Sequence, residues 1–316
     1  MDIGGDIHYA ADLLKKGEVV AIPTETVYGL AANAHDSMAV THIFKIKERP
    51  FFDPLIVHTW SIETAARYVL DFPDVAMKLA RAFWPGPLTL ILPKKDLIPD
   101  IVTSGLDTVG LRIPDHPLTL ALLKLTDLPL AAPSANPFGY VSPTTPRHVA
   151  DQLSGKIDYI LDGGPCRVGL ESTIVGFEED IPIVYRLGGI TVEKIEKVIG
   201  KVVIRSHSTS NPKAPGMLKS HYAPKVPLLF GDISELLPQH SGKKVALLTF
   251  REMSGLAGVK NIALSPAGNL EEAAQNLFRV LRSFDHADID LVLATPFPDH
   301  GLGRAINDKL RRAAAL

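Results

Sequence analysis

The sequence predicts an α/β protein in two parts: a mixed sheet with flanking helices over residues 1–204, and a smaller α/β unit over 225–316. Three observations carry this. Apolar strand-like runs alternate with segments of helical periodicity along most of the 316 residues. Adjacent strand runs near 88–113 and 158–186 point to a mixed sheet rather than a regular doubly wound one. A polar stretch at 205–224, broken by three prolines, separates this pattern from a second that restarts at Val226.

The elements follow in order. Ile7, Ala10, Ala11 and Leu14 stand at helical spacing over 7–16, and Gly17 is a natural stop. Val19-Val20-Ala21-Ile22 then reads as a buried strand. Further strand runs fall at 55–59, 88–92, 108–113, 129–132, 158–161, 172–176 and 183–186. Helical patterns lie between them at 36–46, 61–69, 74–83, 116–125, 146–153 and 191–198. Trp84-Pro-Gly-Pro87 is a stiff turn before Leu88, and we read it as architecture. Beyond Val226, strands at 226–230, 244–249 and 290–295 alternate with helices at 233–237, 269–285 and 303–315. Asn269 with Glu272 three residues on marks a helix start, ahead of Leu270, Ala273, Leu277, Phe278, Leu281 and Phe284 on one face.

Composition narrows the function classes. The chain is 46% hydrophobic and 22% charged, an ordinary globular balance, and its formal charge of −2 gives no global pull toward nucleic acid or an anionic membrane. A single cysteine, Cys166, excludes an internal disulfide and a cysteine-based metal cluster. Met-Asp-Ile-Gly-Gly-Asp lacks the layout of a signal peptide, and no window approaches the apolar length of a membrane span. The expectation is a soluble, cytoplasmic protein.

No P-loop, Gly-x-Ser-x-Gly elbow, His-Glu-x-x-His pair or Gly-x-Gly-x-x-Gly turn occurs, so a bound nucleotide must be held by separate loops. The most informative stretch is 42–58. Lys45, Lys47 and Arg49 follow a short apolar pattern, and Pro50 and Pro54 then stop any helix. Cations delivered to a helix end beside a rigid loop suit a polyanion; alone, a solvated helix end explains them as well. Thr24, Glu25, Thr26 and Tyr28 follow the strand at 19–22, where ligand hydroxyls or a local turn are even readings. Arg112 interrupts an apolar strand and must either pair internally or meet a ligand carboxylate. Ser134 and Asn136 in Pro133-Ser-Ala-Asn136, Ser142, the Glu171-Ser172-Thr173 run and Arg186 add polar groups at strand ends, and His58 closes another. Together they fit an anionic ligand of several parts.

These residues carry a likeness. Pro-Thr-Glu-Thr-Val-Tyr-Gly-Leu at 23–30, Lys47-x-Arg49-Pro, Trp-Pro-Gly-Pro-Leu-Thr, Arg112-x-Pro-x-His-Pro, Pro-Ser134-Ala-Asn136 and Glu-Ser172-Thr-Ile resemble, in order and spacing, the YrdC-like threonylcarbamoyl-AMP synthases. The region beyond 225 and the linker's His221-Tyr222-Ala-Pro224 are similar to the longer members of that family. The resemblance implies a YrdC-like twisted mixed sheet followed by a Rossmann-like α/β domain. It implies that L-threonine, bicarbonate and ATP, with Mg2+, give threonylcarbamoyl-AMP and pyrophosphate. The product would pass to a tRNA threonylcarbamoyltransferase, and a weak contact with tRNA itself is left open. By resemblance, L-threonine would be held by Thr26, His58, Arg112, Ala132 and Ser172. ATP would be held by Lys47, Arg49, Asp53, Thr108, Ser134, Asn136, Ser142, Arg186 and Tyr222. Lys47, Arg49 and Thr26 would act in catalysis, with no protein ligand to a metal assigned.

Two positions depart from the family pattern. Asp53 stands where asparagine is common, adding negative charge beside the phosphates, and Arg186-Leu187-Gly188 stands where Arg-Pro-Gly is common. The competing readings are an RNA-binding module of the same fold without turnover, and a carbamoyl transferase working through carbamoyl-adenylate. For the C-terminal domain the expectation is gating, with 205–224 closing over ATP and a truncation of 206–316 leaving a folded N-terminal domain.

Overall fold

The computed structural model of the chain describes residues 1–206, 214–215, 217, 222–253 and 260–315. An eleven-stranded sheet contains β1 (Asp2–Gly4), β2 (Val20–Ile22), β3 (Gly29–Asn33), β4 (Ile56–His58), β5 (Leu88–Pro93), β6 (Thr108–Arg112), β7 (Leu130–Ala131), β8 (Tyr159–Leu161), β9 (Thr173–Glu178), β10 (Ile181–Arg186) and β11 (Val203–Ile204). Its spatial order is β1-β8-β2-β3-β7-β4-β6-β5-β9-β10-β11. Parallel pairs such as β4–β6 and β5–β9 stand beside antiparallel pairs such as β4–β7 and β5–β6, so the mixed sheet expected from the strand order forms.

Among the described residues, eight helices flank it: α1 (Ile7–Lys15), α2 (Ser37–Lys47), α3 (Ile62–Ala66), α4 (Asp74–Phe83), α5 (Asp100–Thr103), α6 (Pro117–Thr126), α7 (Pro146–Leu153) and α8 (Val192–Ile199). Their starts are fixed locally. The Asp6 and Asp36 carboxylates accept from the first backbone N–H groups of α1 and α2, and Thr191 does the same for α8. The Trp84 indole donates to Leu88 O at 2.7 Å, which locks the Pro-Gly-Pro turn as read from sequence.

The second domain is a parallel sheet of β12 (Leu228–Phe230), β13 (Val245–Thr249), β14 (Lys260–Ala263) and β15 (Leu291–Ala294), ordered β12-β15-β13-β14. Around it run α9 (Ile233–Leu236), α10 (Leu270–Ser283) and α11 (Leu302–Ala313). Asn269 caps α10 through Glu272 N at 2.9 Å, but the reciprocal bond runs through Ser265. That hydroxyl accepts from Asn269 N and donates to Glu272.

The two domains share a core. Val27, Val141 and Leu170 of the first pack in one apolar cluster with Leu277, Phe278, Leu281 and Ile306 of the second. Arg282 of α10 reaches across to the carbonyls of Val141, Ser142 and His148, with its Cζ 5.0 Å from the Tyr140 ring centroid. A truncation at 206 would therefore strip apolar cover from the first domain. Among the described residues, no helix is long and apolar enough to cross a membrane.

Candidate active site

One cavity gathers much of the expected chemistry. It is lined by Arg49, His58, Arg112, Ala132, Ser134, Arg186 and Tyr222, together with Thr24, Pro54, Ile56, Glu171 and Pro215. Ile56 and His58 both line it, and residues two apart on a strand share a face. The cavity thus runs along β4 over a face of the sheet as well as past strand ends. The described part of the 205–224 stretch covers the same face: Ala214 and Met217 are buried against Ile56, Ile91, Ile174 and Tyr185. The linker is packed structure at those positions. His221 lies outside the described residues, whereas Tyr222 is buried and lines the cavity.

The threonine-assigned groups form a buried cluster. Parallel pairing of β4 with β6 sets His58 directly opposite Arg112. Arg112 Nη2 lies 2.7 Å from Glu25 Oε1 and donates to Thr26 Oγ1 at 2.9 Å. Glu25 in turn accepts from Asp115 N at 3.0 Å. Arg112 pairs internally, as one of its two readings expects, and it also lines the cavity; its Nε is buried without a hydrogen-bond partner among the protein groups. Burial, then the neighbouring Arg112 charge, pushes the His58 imidazole down to about 3. His58 is neutral at any working pH, and its Nδ1 makes no hydrogen bond.

On the other side, Arg49 donates to Asp53 O at 3.0 Å and Pro54 O at 2.8 Å, and pairs with the Asp53 carboxylate at 2.8 Å. Asp53 is buried beneath Arg49 and offsets its charge, so the departure from asparagine acts through Arg49. Arg186 donates to Ser172 O at 3.0 Å, Ser172 Oγ at 2.9 Å and Pro215 O at 3.3 Å. Among the described residues no carboxylate stands within ion-pair distance of Arg186, which leaves a buried cation on the wall. Burial pushes its ordinary value down, opposed by Tyr222 and Glu171. Glycine at 188 permits this packing: a Cβ there would meet Glu171 O at 2.3 Å.

Several expected contacts are indirect. Lys47, the last residue of α2, is buried with its ammonium on the carbonyls of Ser134 and Asn136. Burial and the Arg49 charge hold it well below the usual lysine range. It braces the turn that presents Ser134 instead of lining the cavity. The Asn136 amide donates to Pro137 O and Tyr140 O, both at 2.8 Å, and Ser142 Oγ donates to Glu171 Oε1 at 2.7 Å. Ser172 shares a hydroxyl contact with Thr89 at 2.8 Å. These side chains hold loops around the cavity. Thr108 stands apart. It opens β6, four residues from Arg112 and so about 13 Å away along the strand, and borders a different cavity with Asp107 and Phe177.

Sequence reasoning passed over Glu25 and Glu171 as functional groups, although both stand inside quoted motifs. Their burial, and the pairing of Glu25 with Arg112 across 87 residues, are visible only in the fold. Among the described residues there is no group of three or more His, Cys, Asp or Glu placed to hold a metal ion. Glu171 is the only carboxylate lining the cavity among them.

Residues 12–188 match the Sua5–YciO–YrdC family model, described as telomere recombination. Residues 190–315 match the model of the threonylcarbamoyl-AMP synthase C-terminal domain. The chain is 45% identical to the threonylcarbamoyl-AMP synthase of Bacillus subtilis, covering 98% of this chain and 92% of that protein. Identity to the corresponding synthase of Pyrococcus abyssi is 42%, over 98% and 94% of the two chains. The crystal structure of P. abyssi Sua5 complexed with L-threonine superposes with a TM-score of 0.93 at 40% identity, covering 99% of this chain and 98% of that one.

Proposed function

The chain belongs to the Sua5–YciO–YrdC family in its two-domain, threonylcarbamoyl-AMP synthase form, and on that premise we propose that it converts L-threonine, bicarbonate and ATP into threonylcarbamoyl-AMP and pyrophosphate. The observation that carries the reading is one cavity holding three buried guanidinium groups, Arg49, Arg112 and Arg186, beside a neutral His58. Such a site suits a carboxylate and a polyphosphate together.

In this reading the threonine amine and bicarbonate give a carbamate with loss of water. A carbamate oxygen then attacks the α-phosphorus of ATP, and the bond to pyrophosphate breaks. This makes the protein a nucleotidyltransferase that works by positioning and charge stabilisation. Arg112 takes the threonine carboxylate, with Thr26 and Glu25 fixing its fork. His58, held neutral, offers an acceptor to the amine or hydroxyl of threonine. Arg186 and Arg49 face the phosphates, and Ser134 on its Lys47-braced turn faces the nucleotide. Mg2+ bound to the triphosphate would neutralise its charge, and the residues present suit a cation carried in by the nucleotide, Glu171 being the one carboxylate that lines the cavity among the described residues. We place the reaction in the cytoplasm, with the product passed to a tRNA threonylcarbamoyltransferase.

The test is pyrophosphate release from ATP and bicarbonate with L-threonine, with L-serine and with no amino acid. Release that depends on L-threonine is expected. Salt-sensitive RNA binding without any release would overturn the reading in favour of a binding module.

A further inference from the structure

The last helix carries charge where its spacing calls for apolar residues. Leu302, Ala305, Ile306, Leu310 and Ala313 make the buried stripe of α11, and Lys309 and Arg312 fall on that stripe at 0% and 2% exposure. Burying cations is costly, and apolar side chains at those places would pack without the cost.

What Lys309 touches gives the reason. Its Nζ donates to Leu187 O at 2.7 Å and lies 3.4 Å from Asp308 Oδ2 and 4.0 Å from Glu171 Oε2. It also stands 5.3 Å from the centroid of the Tyr222 ring. Arg312 Cζ lies 5.3 Å from the same centroid, and Phe278 stacks on that ring at 5.4 Å. One ammonium therefore meets three separate segments. Leu187 follows Arg186 in the chain, Glu171 lines the cavity and accepts from Ser142, and Tyr222 lines it from the linker. Arg186 and Tyr222 belong to the wall assigned to the nucleotide, and Glu171 is tied to it through Ser142, a residue of the same assignment. Among the described residues, no hydrogen bond or ion pair joins α11 to Thr26, His58, Arg112, Ala132 or Ser172, although Glu171 precedes Ser172 in the chain.

We propose that Lys309 is a positioning residue: from the C-terminal domain it ties together the three segments of the nucleotide wall, and so sets the affinity for ATP without touching it. The inference rests on the synthase reading above and gives the second domain a defined part in the reaction. A bare structural support would raise stability alone, whereas this tie separates the two substrates.

The experiment uses the full chain with Lys309→Met, Lys309→Arg and Glu171→Gln. It measures KM for ATP and for L-threonine, and binding of each, with a non-hydrolysable ATP analogue, by calorimetry. Lys309→Met is expected to weaken ATP roughly tenfold and to leave L-threonine affinity within about twofold of wild type. Lys309→Arg, which keeps the charge and the donors, is expected to restore most of the ATP affinity. Glu171→Gln, a milder change at a partner of Lys309, tests the same tie should Lys309→Met lose structure, and is expected to show the same selective loss. Unchanged ATP affinity in both variants, or equal loss for ATP and L-threonine, would overturn the proposal. Wild-type protein without L-threonine-dependent turnover would overturn the functional reading instead, and nucleotide calorimetry would still decide the role of Lys309.

Discussion

Replacing Arg112 by glutamine, alone and together with Glu25→Gln, separates the two jobs this arginine performs. Arg112 and Glu25 form a buried pair at 2.7 Å, with side chains 5% and 0% exposed. In Arg112→Gln the Glu25 carboxylate keeps only the Asp115 N–H and an uncompensated charge, which should cost about 3–5 kcal/mol of stability. In the double variant neither charge of the pair remains, and most of that loss should return, leaving about 1–2 kcal/mol for packing and hydrogen bonds. Ligand affinity should behave differently. A lost charge-assisted contact to the threonine carboxylate is worth about 1.5–3 kcal/mol, or roughly 10- to 150-fold in Kd, and Glu25→Gln cannot restore it. Urea unfolding gives the first quantity and L-threonine calorimetry the second. A double variant that binds L-threonine as wild type does would refute the ligand role, and an undiminished stability of Arg112→Gln would refute the burial argument.

Three further outcomes follow from the same contacts. Asp53→Asn keeps the backbone bonds of Arg49 but removes its carboxylate, so stability should fall while ATP KM drops about three- to tenfold, a gain of roughly 1 kcal/mol; an unchanged KM would mean that Arg49 does not face phosphate. The folded-state value of His58, about 3, lies below its ordinary 6.5, so the unfolded chain takes the proton first. Stability should then decline as pH falls from 6.5 toward 3, by up to about 1.4 kcal/mol per unit, and His58→Gln should flatten that slope by one proton in urea titrations at pH 7, 6 and 5. Lys47→Met leaves the Ser134 and Asn136 carbonyls without their buried donor and should cost about 2–3 kcal/mol of stability. It should also raise ATP KM through the displaced turn, and wild-type stability in this variant would contradict the bracing role.

Much of the fold was legible because apolar periodicity and burial agree. The run at 88–92 becomes β5 at Leu88–Pro93, and the pattern at 269–285 becomes α10 at Leu270–Ser283. The missed elements lack that agreement. β3 reads Gly-Leu-Ala-Ala-Asn, small residues with weak strand preference that are buried between β2 and β7. β14 has one strongly apolar residue, Ile262, and forms because β13 offers its edge. Long-range pairing decided both, and it leaves no local trace.

The site was legible to a different depth. Sequence named Arg49, His58, Arg112, Ser134, Arg186 and Tyr222, and these line one cavity because β4, β6, β7 and β10 bring their loops together. It did not distinguish residues facing the cavity from those bracing it, since a lysine on carbonyls and a lysine on phosphate read alike in one dimension. Lys47 shows this within the first domain, and Lys309 shows it across domains. The clue for Lys309 was present, a cation three residues after Ile306 on an apolar stripe, but helical periodicity alone treats such a residue as solvated. Only the contact with Glu171 and Leu187 gives it meaning. A buried charge on an apolar face is therefore the feature of this sequence that most needed the structure, because its cost is local and its return lies in another domain.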